Sequence, residues 1–166
     1  MSRQKIFLDL EFAERPNDIE IISLGMAKMS GEVLYFVFDF DKSKPSDWVN
    51  KNVIPSIDAG SDGVRYSREQ AKQKILEFIG DPKQAQICGY YCDYDWVAFC
   101  WLFGSMIDLP KGLPMYCWDL KQFLDENNIP RDLQPDNPVP HHALHDAVQE
   151  REYYKNALAY LNANNG

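Results

Sequence analysis

The amino-acid sequence predicts an α/β protein, a mixed β-sheet with an antiparallel three-strand meander and later parallel strands, flanked by helices. Three observations carry this. Three β-favouring runs come first, at 5–10, 19–28 and 33–40, separated by short polar breaks. A helix-periodic segment at 68–79 then precedes another apolar run at 86–91, the pattern of a crossover onto the same sheet. The later periodic segments are amphipathic helices that need a sheet face to cover.

Each element has its local reason. Lys5 to Leu10 is a short strand, followed by a loop from Ala13 to Asp18 with Pro16 and Asn17 as turn residues. Ile19–Lys28 and Val33–Phe40 are strands joined by a turn at Met29–Glu32. Residues 41–66 are punctuated by Pro45, Pro55, Gly60 and Gly63, with a short helix expected over 47–54. Ser67 is a good cap for the 68–79 helix, where Ala71, Ile75, Phe78 and Ile79 recur at helical spacing. After the 86–91 strand, Asp93 is expected to cap a helix running to Phe103. Met115–Trp118 is extended and leads into a helix at 119–127. Four prolines between 130 and 140 mark a long loop. The last helix spans 142–162, with Leu144, Val148, Tyr154, Leu158 and Leu161 on its expected apolar stripe.

A chain of 166 residues fits a single domain, 1–166, able to bury roughly two-thirds of its unfolded surface. An apolar content of 45% argues against disorder. No apolar run approaches the roughly 18–20 residues that span a bilayer. The polar start of the chain leads straight into a strand and does not read as a signal peptide, so a cytoplasmic protein is expected. Cys88, Cys92, Cys100 and Cys117 form no C-x-x-C pair, which argues against a zinc ribbon or redox motif. The net charge of −8 disfavours a protein that coats nucleic acid, but not an enzyme that grips a terminal nucleotide.

The chemistry lies in the acids. Asp9 and Glu11 are two apart on a strand end, so both side chains share a face. On a sheet face covered by helices they need a cation, and paired carboxylates suit Mg²⁺ or Mn²⁺. Asp95 follows the 86–91 strand, and Asp146 opens the last helix. Singly, each has an ordinary role: a solvent-facing acid, a cap, or a charge complementing a helix N-terminus. Together, strand ends and helix starts converge on one sheet edge, where α/β sites are built. A histidine stands beside Asp146. Helix geometry favours His142, four residues before it and on the same face, while His141 can approach only from a loop. An imidazole titrates near pH 6.5, close to where a general base operates.

These residues resemble the DEDDh branch of the DnaQ-like 3′→5′ exonucleases. Asp9-Leu10-Glu11 matches the first motif, Asp95 within Asp93–Phe99 the second, and His141-x4-Asp146 the third. Within that branch the chain is most similar to the polyadenylate-specific exoribonuclease AS family, small relatives of RNase T. Asp9–Phe12, Ile19–Gly25, Trp48-Val49-x3-Val53-Ile54-Pro55 and Tyr94-Asp95-x-Val97-Ala98 carry that closer match. Trp96 departs from the pattern and is expected at the rim of the site. The resemblance implies an RNase H-like fold and a metal-dependent 3′→5′ exoribonuclease that releases 5′-mononucleotides, with adenylate preference. It implies two divalent cations, Mg²⁺ or Mn²⁺, held by Asp9, Glu11, Asp146 and Asp95. It also implies His141 as general base, where helix geometry prefers His142, and a homodimer.

With few basic residues, the chain would grip an RNA 3′ end, single-stranded or overhanging, by stacking and metal contacts. Phe12, Leu24 and Trp48 are the expected base contacts, although Leu24 suits the core equally well. Two alternatives stand beside this reading. One is a DNA-directed exonuclease of the same fold, and the other a catalytically silent nucleic-acid-binding module, for which five assembled catalytic residues would be superfluous.

Overall fold

The computed structural model describes residues 3–57 and 65–164, so Gly60 and Gly63 lie outside the described residues. Three long strands form its centre: β1 (Gln4–Arg15), β2 (Asp18–Lys28) and β3 (Val33–Phe38). They pair antiparallel, β1 with β2 from Ile6↔Lys28 to Arg15↔Asp18, and β2 with β3 from Ala27↔Val33 to Ser23↔Val37. Ala13–Arg15, expected in a loop, instead extend β1. Their backbone groups find ladder partners in Asp18–Glu20, and the chain reverses at Pro16-Asn17, where Asn17 takes φ 65°.

The irregular stretch holds α1 (Asp47–Asn52), capped by Ser46, and α2 (Ile54–Ile57), in place of one helix over 47–54. A two-residue strand unforeseen in the sequence, β4 (Arg65–Tyr66), runs parallel to β3. Next comes α3 (Arg68–Ile79), whose Ser67 and Gln70 form a reciprocal capping box. Then follow β5 (Ala85–Gly89), α4 (Asp93–Phe103), β6 (Trp118–Asp119), α5 (Leu120–Glu126) and α6 (Ala143–Asn164). The strand order is β4-β3-β2-β1-β5-β6, with β5 parallel to both β1 and β6. The meander-plus-parallel architecture expected from the sequence is the one found.

Alternation along β1 sends Ile6, Leu8 and Leu10 to one face, where they pack with Ala71 and Ile75 of α3 and Ala98 and Phe99 of α4. Phe7 faces the other way, against Leu120, Tyr153 and Ala157 of α5 and α6. A third cluster joins Ala13, Ile22 and Val37 to Val49, Val53 and Ile57 beside α1 and α2.

Two local expectations are corrected. The buried residues of α6 include Ala143, Ala147, Tyr153 and Ala157, while Leu144, Val148, Tyr154, Leu158 and Leu161 are half-buried. Small residues on the buried face let the helix approach the sheet closely. At Gly25 of β2 the clearance is so small that an added Cβ would stand 2.2 Å from the Ala143 carbonyl oxygen. Asp93 is the first helical residue of α4 and not its cap. Instead, Asp119 Oδ2 accepts the Cys92 N–H at 3.1 Å while its Oδ1 accepts the Gln122 N–H at 2.8 Å, tying α4 and α5 to β6. Among the described residues, no helix is long and apolar enough to cross a membrane.

Candidate active site

Asp9 and Glu11, expected at a strand end, lie in the middle of β1, just past Phe7↔Cys88 where pairing with β5 stops, and there the sheet borders a cavity of about 460 Å³. Asp9, Glu11, Asp95, His141 and Asp146 all line it. Asp9 and Glu11 lie opposite Gly25 and Ser23 of β2. A β-bulge follows immediately, between Glu11 and Phe12. Such a bulge breaks strict alternation and re-aims the next side chain. Phe12 also lines the cavity, and its ring stacks on Tyr94 of α4 at 6.0 Å between centroids.

Carboxylate oxygens of Asp9, Glu11 and Asp146 lie within 4.8 Å of one another, a spacing that a cation can bridge. Asp146 is held from both sides: its Oδ2 accepts the His142 N–H at 3.0 Å, and its Oδ1 accepts the Asn137 side-chain amide. Asp95 Oδ1 accepts the Leu10 N–H at 2.8 Å, anchoring α4 to β1 between the two strand acids.

Without a cation these charges are unfavourable. Burial, then Asp95, Glu150, Glu11 and Asp146, push the Asp9 carboxyl well above its usual range. Burial, then Asp146 and Asp95, raise Glu11 to about 8. Burial raises Asp95 to about 6 despite the Leu10 N–H that favours its ionised form. Asp146 is also raised by burial, opposed by its hydrogen bonds and by His141. Carboxylate oxygens of three half-buried acids within bridging distance form a hard donor set, which fits Mg²⁺ or Mn²⁺ and would be poor for a soft metal.

The structure separates the two histidines. Helix α6 starts at Ala143, so His142 stands at its threshold, buried, with its ring stacked on Tyr35 at 4.4 Å. His142 reaches Asp146 through its backbone N–H, and its ring is not part of the cavity lining. His141 precedes the helix, exposed and left-handed at φ 59°, and faces the cavity. Its carbonyl accepts the Ser56 hydroxyl hydrogen, and its ring lies edge-on to Trp48, 5.1 Å away. A non-glycine residue in this region costs roughly 1–3 kcal/mol and is often found at functional sites.

The other expected base contacts divide. Trp48 is 56% exposed beside His141 but does not line the cavity. Leu24 is fully buried in the core on the opposite face of the sheet from Asp9, so it lies outside the cavity. Full burial of a leucine is worth ~1.5–3 kcal/mol, which offers a simple reason for that placement. Trp96, expected at the rim, stacks on Phe99 at 5.5 Å and packs against the core.

Gln134, Asn137 and Glu150 are among the cavity residues that the sequence does not announce. Asn137 and Gln134 come from the proline-rich loop, where no periodicity announces them. Glu150 stands one turn beyond Asp146 on α6, and that i,i+4 spacing was the available signal.

The fold and the acid-lined cavity define a class. The structure is similar to the zinc-bound complex of Escherichia coli exonuclease I with single-stranded DNA, with a TM-score of 0.68 and 12% identity over 98% of this chain and 43% of that one. The RNase domain of yeast Pop2 is similar at a TM-score of 0.62, with 14% identity over 96% of this chain and 78% of that one. Both likenesses are of fold, the RNase H-like fold.

The particular family follows from sequence. The profile of the 3′-5′ exoribonuclease Rv2179c-like domain matches residues 4–158, and the chain belongs to that family. The Mycobacterium tuberculosis (strain H37Rv) protein named 3′-5′ exoribonuclease Rv2179c is 30% identical over 154 residues, covering 91% of each chain.

Proposed function

We propose that this chain is one metal-dependent 3′→5′ exoribonuclease domain, which hydrolyses the 3′-terminal phosphodiester of RNA and releases 5′-mononucleotides. The observation that carries the reading is the approach within 4.8 Å of carboxylate oxygens from Asp9, Glu11 and Asp146, in a cavity that Asp95 and His141 also line. Membership of the Rv2179c-like exoribonuclease family supports RNA over DNA as substrate.

In this reading Asp9, Glu11, Asp146 and Asp95 would together hold two divalent cations, Mg²⁺ or Mn²⁺. When bound, the pair supplies charge stabilisation to the entering and leaving oxygens of an in-line displacement. His141, at the open side of the cavity, takes the proton from the attacking water. The new bond forms between that water oxygen and the terminal phosphorus. The bond from phosphorus to the 3′-oxygen of the penultimate nucleotide breaks, and that oxygen takes a proton from solvent, leaving a shortened strand with a 3′-hydroxyl. Phe12, backed by Tyr94, stacks on the terminal base, and Trp48 flanks His141 at the entrance. Adenylate preference and a homodimeric assembly belong to the same proposal, and single-base homopolymers and sedimentation would check them.

Matched RNA and DNA oligonucleotides with free or blocked 3′ ends test the substrate class. Digestion of free-ended RNA at least tenfold faster than DNA, with blocked ends resistant, is expected. Equal or faster digestion of DNA would favour the DNA-directed alternative.

A further inference from the structure

We propose that Glu150 is a fifth carboxylate of the metal centre, positioning the water ligands of the second divalent cation between Asp9 and Asp95. This deepens the reading above and rests on it.

The geometry starts on α6. Glu150 follows Asp146 by four residues, so both lie on one side of the helix. Both line the cavity, together with Asp9 and Asp95. Glu150 is 7% exposed, and its two oxygens have different surroundings. Oε1 accepts the Tyr90 N–H at 3.2 Å, which fixes the carboxylate against the turn between β5 and α4. Oε2 is buried and has no hydrogen-bond partner. A buried carboxylate oxygen without a donor is costly, and because Glu150 lines the cavity, a donor bound there is the partner this oxygen would take.

The cavity narrows the identity of that donor. Glu150 does not share the 4.8 Å grouping of Asp9, Glu11 and Asp146, so it does not complete a common inner shell with them. Mg²⁺ dehydrates reluctantly and keeps several waters, and metal-bound waters are strong hydrogen-bond donors. An anchored acid one helical turn from an inner ligand suits an outer-shell acceptor, a role commonly worth 10–100-fold in metal affinity. A neutral glutamine would keep the Tyr90 contact through its carbonyl oxygen but would lose the charge.

Manganese binding separates this role from packing. Wild-type protein, Glu150→Gln and Asp146→Asn would be titrated with Mn²⁺ by calorimetry, and their melting temperatures measured without metal. Wild type is expected to bind two ions. Glu150→Gln should keep the first within about twofold, weaken the second at least tenfold, and melt higher than wild type without metal. Unchanged binding of the second ion, equal weakening of both, or a lower metal-free melting temperature would overturn the role of Glu150. Uptake of one ion by wild type would also overturn it while leaving a metal centre in place. Uptake of none would overturn the metal reading itself. If Glu150→Gln does not fold, Glu150→Asp replaces it, with selective weakening of the second step expected and an unchanged second step contradicting the role.

Discussion

Asp9 and Glu11 are poor choices for neighbouring half-buried positions in the middle of a strand unless something positive arrives. Their raised pKa values, through burial and then neighbouring acids, express the same cost in protons. The two histidines show how one residue of offset can separate two roles. His141 projects into the cavity from a left-handed turn, whereas His142 is packed on Tyr35. Replacing His141 with alanine should reduce kcat by about 10²–10⁴-fold while leaving the melting temperature near wild type. His142→Ala should chiefly lower the melting temperature. Reversed effects in parallel kinetic and thermal measurements would show that the ring beside Tyr35 is the working base.

Elements bring these residues together. The bulge after Glu11 releases Phe12 from the pleat, and the start of α6 rests on β2 at Gly25. Gly25→Ala would drive a Cβ into the Ala143 backbone, which cannot rotate away as a side chain could. Overpacking of this kind costs about 1–3 kcal/mol or more, read as a lower melting temperature. Activity should fall further than stability, because His141 and Asp146 flank the displaced turn. A wild-type melting temperature and rate would exclude that coupling. Period-two and helical patterns made the meander, α3, α4 and α6 legible before any coordinates. The spacing of the acids made four of the five buried or half-buried carboxylates legible as a set. Other features depended on partners distant in sequence. Ala13–Arg15 became strand because Asp18–Glu20 pair with them. The α6 stripe differs from expectation because alanines there meet the sheet, a packing preference that hydropathy ranks below leucine. Leu24 read as either core or base contact until the register placed it behind the sheet.

At the scale of the whole molecule, net charge and the cavity act in the same direction. The chain carries −8 overall, and the cavity concentrates five carboxylates. Glu11 and Asp95 have folded pKa values of about 8 and about 6, above their ordinary range, through burial first. Between roughly pH 4 and 8 the folded chain therefore retains protons that the unfolded chain releases, so the contribution of these groups to stability declines as pH rises. In the proposed function a bound cation would replace those protons. The difference in melting temperature between Mn²⁺-loaded and metal-free protein should accordingly widen from pH 5.5 to 8.5, and a difference that narrows would contradict the linkage.

The most direct measurement follows a 5′-labelled RNA incubated with wild-type protein and with Asp146→Asn, in Mn²⁺ and in chelator. Wild type with Mn²⁺ should shorten the strand stepwise from its 3′ end and liberate 5′-mononucleotides. Chelation should stop the reaction, and Asp146→Asn should slow it on the order of 10³-fold, the several kcal/mol that a metal centre supplies. Internal cleavage, metal-independent release, or a variant as active as wild type would contradict a metal centre on β1 that removes nucleotides from RNA.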